Sequence, residues 1–224
     1  MHKELKDYLP FWDGLTAADK AALAGAADER EFPAGTVLHR GAEDCVGLMI
    51  VTKGRLRVYT LSDEGRELTL YRLLERDICL FSASCIMNSI QFDVLVSAEE
   101  DTAVLHLPAE TYKAVMQRSA AAANYTSELM AARFSEVMWL MDQVMNKRLD
   151  ERLAAFLLEE AELRGAKSLA ITHEQIANHM GTQREVITRM LRHFQQEGLV
   201  VLSRGRVELA NEAGLQALAA EARR

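Results

Sequence analysis

Cysteine is scarce in this chain of 224 residues: Cys45, Cys79 and Cys85, an odd number at irregular spacing. That excludes a disulfide framework and fits a reducing compartment, so a cytoplasmic protein is expected. No apolar run approaches the roughly eighteen residues that would cross a bilayer. The opening MHKELKDYLPFWDG also lacks the apolar block of a secretory signal, so no membrane association is expected. There is no P-loop, no Gly-rich dinucleotide turn and no nucleophile elbow. His39 and His106 stand without a neighbouring His-x-His, so the histidine cluster of a metal enzyme is missing. Neither an enzyme nor a metal site is expected. Positive charge is in deficit too, with 26 Lys and Arg against 33 Asp and Glu. A net charge of −7 argues against a non-specific polyanion binder but leaves room for a locally basic face.

What is present is an ordinary folded composition, 49% hydrophobic and 26% charged, without repeats or low-complexity tracts. The length suits one large or two modest domains. Residues 1–30 read as helical, with Thr16 and Asp19 capping an Ala-rich helix that runs to about Asp28. Strands follow. A segment over 31–38 carries a turn, 46–51 is an apolar strand, and 55–59 alternates polar and apolar as a half-buried strand does. Ser62-Asp63-Glu64-Gly65 is a hairpin tip, 67–74 returns with the same alternation, and 92–96 and 102–107 complete the set. Short strands at this spacing predict an antiparallel barrel or sandwich.

Pro108 opens a helix over 109–117, and a long helix follows over 121–146. On it Ala123, Ser127, Met130, Phe134, Val137, Met141 and Val144 recur at alternating steps of four and three. That heptad period suits pairing of two helices along an axis, with Met130, Phe134, Val137, Met141 and Val144 as the dimerisation seam. A second stripe, Leu129, Ala132 and Leu140, is placed to pack on the strands. Asn146-Lys147-Arg148 breaks the pattern and marks a helix-to-helix joint able to act as a hinge. A helix over 149–164 then stops at Gly165.

The stretch 172–209 is the most legible part. Thr172 with Gln175, and Thr182 with Glu185, are two capping-box signatures that announce helices over 173–180 and 183–197. Gly181 and Thr182 make the turn between them. Ile176, Ala177 and Met180 stripe the first helix, and Val186, Ile187, Met190, Leu191 and Phe194 stripe the second. After Gly198 the period changes to two short strands, 199–202 and 207–209, around Ser203-Arg204-Gly205-Arg206. A helix-turn-helix followed by a basic wing is a DNA-reading arrangement. Gln183, Arg184, Glu185, Thr188, Arg189 and Arg192 remain outside once the apolar stripe is buried. Arginine forks match guanine O6 and N7, and a carboxylate accepts from cytosine N4. Within 172–209 five arginines face four carboxylates, so arrangement carries the argument, not bulk charge.

Strands, a long pairing helix and a winged helix-turn-helix, in that order, resemble the cyclic-AMP receptor protein and fumarate–nitrate reductase regulator family (Crp–Fnr) over nearly the whole chain. The matches are Glu151-Arg152-Leu153-Ala154-Ala155-Phe156-Leu157, Thr172-His173-Glu174-Gln175-Ile176-Ala177 and Gln183-Arg184-Glu185-Val186-Ile187-Thr188-Arg189. The resemblance implies an α+β fold in three parts. These are an effector-sensing jelly-roll domain over 1–120, a dimerisation helix over 121–146 and a winged helix-turn-helix over 147–224. It implies a homodimer on a double-stranded palindrome with GTGA- or TTGAT-like arms, partnered by RNA polymerase if it activates. Arg184, Glu185 and Arg189 match the Arg-Glu-x-x-x-Arg set of cyclic-AMP receptors, and Thr188 resembles the serine of the other branch. Thr182, Gln183, Arg192, Arg204 and Arg206 complete the expected DNA contacts.

The effector is less legible. By the resemblance, the positions that hold the cyclic-AMP ribose fall at Leu80 and Phe81, those for its phosphate near Phe92 and Asp93, and those for adenine at Val137 and Met138. None supplies an arginine or the usual hydroxyls, so cyclic AMP is disfavoured. An iron–sulfur cluster is disfavoured as well, because four thiolates are usual and no cysteine precedes Cys45. A haem-based gas sensor stays open, although the ligand positions of that branch fall at Leu80 and Ser82. The remaining candidate is the segment holding Cys79, Leu80, Phe81, Ser82, Ser84 and Cys85, with thiols that are either core or redox-active. The cofactor is therefore unknown, and the partner is an unidentified small effector. A cupin-like metal enzyme and an interaction module without DNA binding are the rival classes.

Overall fold

The computed structural model describes residues 5–41, 46–80 and 94–221. In chain order its elements are α1 (Ala17–Ala26), β1 (Asp28–Phe32), β2 (Val37–Arg40), β3 (Leu48–Lys53), β4 (Leu56–Leu61), β5 (Glu67–Leu73), β6 (Ile78–Cys79), β7 (Leu95–Ala98) and β8 (Thr102–Leu107). Then come α2 (Ala109–Arg118), α3 (Ala120–Asn146), α4 (Leu149–Arg164), β9 (Ser168–Leu169), α5 (His173–Met180), α6 (Arg184–Gln196), β10 (Val200–Ser203), β11 (Arg206–Leu209) and α7 (Glu212–Glu221). They form two compact units, one of residues 1–60 with 70–137, the other of 61–69 with 138–224.

The strands before α2 form two four-stranded sheets, ordered β1-β8-β3-β6 and β2-β7-β4-β5. This is the expected jelly-roll type of fold, built as two sheets. Met49, Val51, Val104, Leu56, Val58, Leu73 and Val96 fill the space between them. The outer face of the first sheet, through Leu48, Ile50, Leu105 and Leu107, buries against Leu23, Tyr112, Val115 and Ala122 of the helices. A sheet covered on both faces cannot alternate, and β3 is buried at its first five positions.

Two local expectations fail for physical reasons. The helical reading as far as Asp28 is wrong, because α1 ends at Ala26 and β1 already begins at Asp28. Asp28 pairs with His106 and Phe32 with Thr102, so DEREF is an edge strand, where charge blunts further pairing. The half-buried alternation over 55–59 is wrong as well, since β4 is buried at four consecutive positions. Arg57 lies over the Tyr59 ring at 4.3 Å, and Arg55 pairs with Glu99 at 2.6 Å. Long arginine stems cover apolar surface while their heads find partners.

The 27-residue α3 has three kinds of surface. Ala122, Thr126 and Arg133 are buried. Leu129 and Met130 pack on the helical side of the first unit, and Val137 packs on the inter-sheet core. Phe134, Met138, Trp139, Met141, Val144 and Met145 are exposed. The heptad positions thus divide: Met130 and Val137 pack partly within their own chain, whereas Phe134, Met141 and Val144 face outward. Of the second stripe Leu129 packs as expected, but Ala132 is exposed.

In the second unit, Leu153, Leu157, Ile176, Ile187, Leu191, Phe194, Val200, Val207 and Leu215 share one core. It joins α4, α5, α6 and α7 to a three-stranded sheet ordered β10-β11-β9. Two-residue strands such as β6 and β9 are too short for a period to register in the sequence.

Candidate nucleic-acid interface

Thr172 caps α5 as its sequence demands. Its hydroxyl accepts from the Gln175 amide at 3.2 Å, and the Gln175 side chain accepts from the Thr172 amide at 2.8 Å. Gly181 closes the helix in the left-handed region, at φ 69°. The second expected box is absent. Thr182 donates its amide to the Ala177 carbonyl at 3.1 Å, so its backbone is committed to closing α5. The N-cap of α6 therefore falls one residue later, on Gln183, whose side chain makes no cap bond.

Ile187, Leu191 and Phe194 bury one face of α6. Gln183 and Arg184, at the helix start, and Glu185, Arg189 and Arg192, on its far side, are exposed, with Thr188 half-buried among them. Arg184, Glu185, Thr188, Arg189, Arg192, His193 and Gln196 line one open groove. His193 and Gln196 were missed by the sequence reading, although they continue the three- and four-residue spacing from Arg189 and Arg192. The wing forms as expected: β10 and β11 pair in the register Ser203 to Arg206, and Gly205 takes a φ of 68° at the tip. Arg204 is exposed, and Arg206 donates to the Ser168 hydroxyl at 3.1 Å, which ties the wing to β9.

The groove has a histidine behind it. His173, the first residue of α5, places Nδ1 2.9 Å from the Thr188 hydroxyl. Partial burial, then the nearby charges of Arg184 and Arg192, hold its pKa below the usual histidine range. Chemically, the surface offers arginine forks, one carboxylate and a glutamine on a single helix, flanked by a basic wing. That set can read base edges in a major groove and contact phosphates beside it.

The expected effector residues are less concentrated. Cys79 and Leu80 are buried in two different cores, Cys79 between the sheets and Leu80 on the helical side. Val137 packs against the inter-sheet core, while Met138 is exposed. Phe81, Ser82, Ser84, Cys85, Phe92 and Asp93 lie outside the described residues. His106 is engaged elsewhere: Nδ1 is 2.6 Å from Asp28 Oδ1 and Nε2 is 2.6 Å from the Val46 carbonyl oxygen. Both ring nitrogens are thus turned toward oxygens of the chain. On α3, Arg133 lies over the Tyr71 ring at 4.9 Å and pairs with Asp77 and Glu136.

Comparison with known proteins supports the same division of labour. A family model described as cyclic nucleotide-binding domain matches residues 29–119, and one described as Crp-like helix-turn-helix domain matches 151–218. The chain is 54% identical to a solved protein of Eubacterium rectale assigned as a transcriptional regulator of the Crp–Fnr family. That likeness covers 96% of this chain and 100% of the other, at a TM-score of 0.94. It is 27% identical over 210 residues to the cyclic AMP receptor protein of Thermus thermophilus, covering 94% of this chain and 96% of that one. It is 25% identical over 207 residues to the fumarate and nitrate reduction regulatory protein of Escherichia coli, covering 87% and 80%.

Proposed function

The chain belongs to the Crp–Fnr family of transcription regulators, and we propose that it works as a homodimer reading a palindromic operator under the control of a small effector. The observation that carries the DNA half is the face of α6. Arg184, Glu185, Arg189 and Arg192 all stand exposed on a helix that buries Ile187, Leu191 and Phe194, and they line one groove, with the Arg204 wing tip in the same unit. The proposed arms are GTGA- or TTGAT-like and about one helical turn apart. Selection from random-sequence DNA tests this: an enriched palindrome of that spacing is expected, and no enrichment would overturn it.

The dimer reading rests on α3. Phe134 is 67% exposed, Trp139 64% and Met145 75%, on a helix about 40 Å long. Large side chains left in water along one helix mark an interaction surface, and a second copy would cover them and set two recognition helices for two half-sites. The effector site is proposed for the first unit, around Cys79 and Val137. A small molecule that favours one arrangement there would shift the DNA-binding population. The absorbance spectrum and intact mass of the purified protein test whether haem, a nucleotide or another compound is held. RNA polymerase is the further partner where the operator position makes the protein an activator. The same reading places it in the cytoplasm.

A further inference from the structure

Thr188 sits in the middle of the recognition face, and its hydroxyl proton is already committed. Its Oγ1 donates to the Arg184 carbonyl oxygen one turn earlier, at 2.9 Å. A hydroxyl has one proton, so the second contact, His173 Nδ1 at 2.9 Å, must be one in which the imidazole donates and Thr188 accepts. The low pKa of His173, from its burial and from Arg184 and Arg192, leaves the neutral ring with a single proton. The contact to Thr188 places that proton on Nδ1. Thr188 therefore has no proton left for O4 of thymine or for O6 or N7 of guanine. Yet it lines the same groove as Arg184, Glu185, Arg189 and Arg192. What it can still present to a base is its methyl group and one acceptor lone pair, and of the two only the methyl can meet a thymine.

We infer that Thr188 reads the operator through its methyl group, selecting the C5-methyl of a thymine in each half-site, and that His173 is the positioning residue holding it in that orientation. A threonine methyl against the thymine methyl is a recognised base contact in the major groove. The division of labour on α6 then becomes specific. Arginines and Glu185 read polar base edges, Thr188 supplies the apolar contact, and His173 on the preceding helix locks the rotamer from behind. This inference rests on the DNA-reading function proposed above and adds a base identity to it.

The test uses the full-length protein and the operator that wild type enriches from random-sequence DNA. Each thymine is replaced in turn by deoxyuridine, which removes only the C5-methyl, and affinity is read by fluorescence anisotropy. At one thymine per half-site, wild type should bind about fourfold more weakly, the worth of one buried methyl. T188V, which keeps the shape and drops the hydroxyl, should retain that sensitivity, and T188S, which keeps the hydroxyl and drops the methyl, should lose it. H173A should reduce the thymine-to-uracil ratio, and H173N, which restores a donor near the same place, should recover it. A merely structural role for His173 would lower affinity for both operators equally. Uracil sensitivity retained in T188S, or lost in T188V, overturns the inference. So does an operator with a G·C pair at every position where T188S changes the preference. An enriched operator indifferent to uracil overturns this inference alone. Failure to enrich any operator overturns the DNA-reading proposal and this one with it.

Discussion

Arg152 donates from Nη2 to the carbonyl oxygen of Met180 at 3.1 Å, joining the first turn of α4 to the last residue of α5. The carbonyls at a helix C-terminus lack partners within the helix and carry partial negative charge, so a guanidinium is the natural donor there. The contact braces the helix-turn-helix from behind, one residue before the Gly181 turn. Replacing Arg152 with Met keeps most of the stem volume and removes the donor. About 1.5–3 kcal/mol of stability should be lost, as for a hydrogen bond to a charged group. Thermal unfolding of the wild type and R152M checks this, and equal midpoints would show that the contact contributes nothing.

Arg189 is exposed on the face of α6 opposite the buried Ile187 and Leu191. Arg189→Ala should leave folding unchanged and weaken operator binding by about 1–3 kcal/mol, with relaxed preference at one base pair per half-site. Footprinting and competition with point-substituted operators measure both parts. Unchanged affinity and unchanged preference would remove Arg189 from the reading set.

Phe134 and Met141 lie on the exposed stripe of α3. A carboxylate at Phe134 would have to lose its hydration on pairing and would face its own copy across a two-fold axis. F134E is expected to sediment as a monomer at concentrations where the wild type sediments as a dimer, and to lose operator affinity with it. A dimer of unchanged strength would move the interface off this stripe.

Asp19 offers a pH dependence. The Thr16 hydroxyl donates to it at 2.7 Å and Arg118 at 2.6 Å, and these bonds hold its carboxyl below the ordinary value of 3.8. A carboxylate whose pKa is depressed by folding stabilises the fold above its unfolded pKa. That contribution is lost as pH falls through the folded value. Wild type should therefore be more stable than T16V at neutral pH, with the gap narrowing below about pH 3.8. Urea unfolding at neutral and acid pH reads the difference, and a gap independent of pH would show that Asp19 plays no part in it.

Much of the DNA-reading half was legible because its elements are local. The capping box of Thr172 and Gln175, the three- and four-residue stripe of α6 and the Arg204-Gly205 tip depend on residues close in the chain, and each formed where the pattern placed it. The α4 helix also ran from Leu149 to Arg164, ended by Gly165 at φ 59°. The second box failed because Thr182 was claimed by the end of α5, a competition that spacing alone does not resolve.

What the chain order determined by itself was the type of each long element and the succession of strands, pairing helix and winged helix-turn-helix, since periodicity and capping act over a few residues. Tertiary structure decided the matters that depend on a distant partner. Pairing with β8 turned Asp28–Phe32 into a strand, and Glu99, far along the chain, allowed Arg55 to be buried. Packing of Met130 and Val137 within their own unit left a different set of apolar residues outside on α3. The contact between His173 and Thr188 arises only when α5 folds against α6, and it meets a hydroxyl whose proton goes to the Arg184 carbonyl. A hydroxyl proton can be given once, and folding chose its recipient.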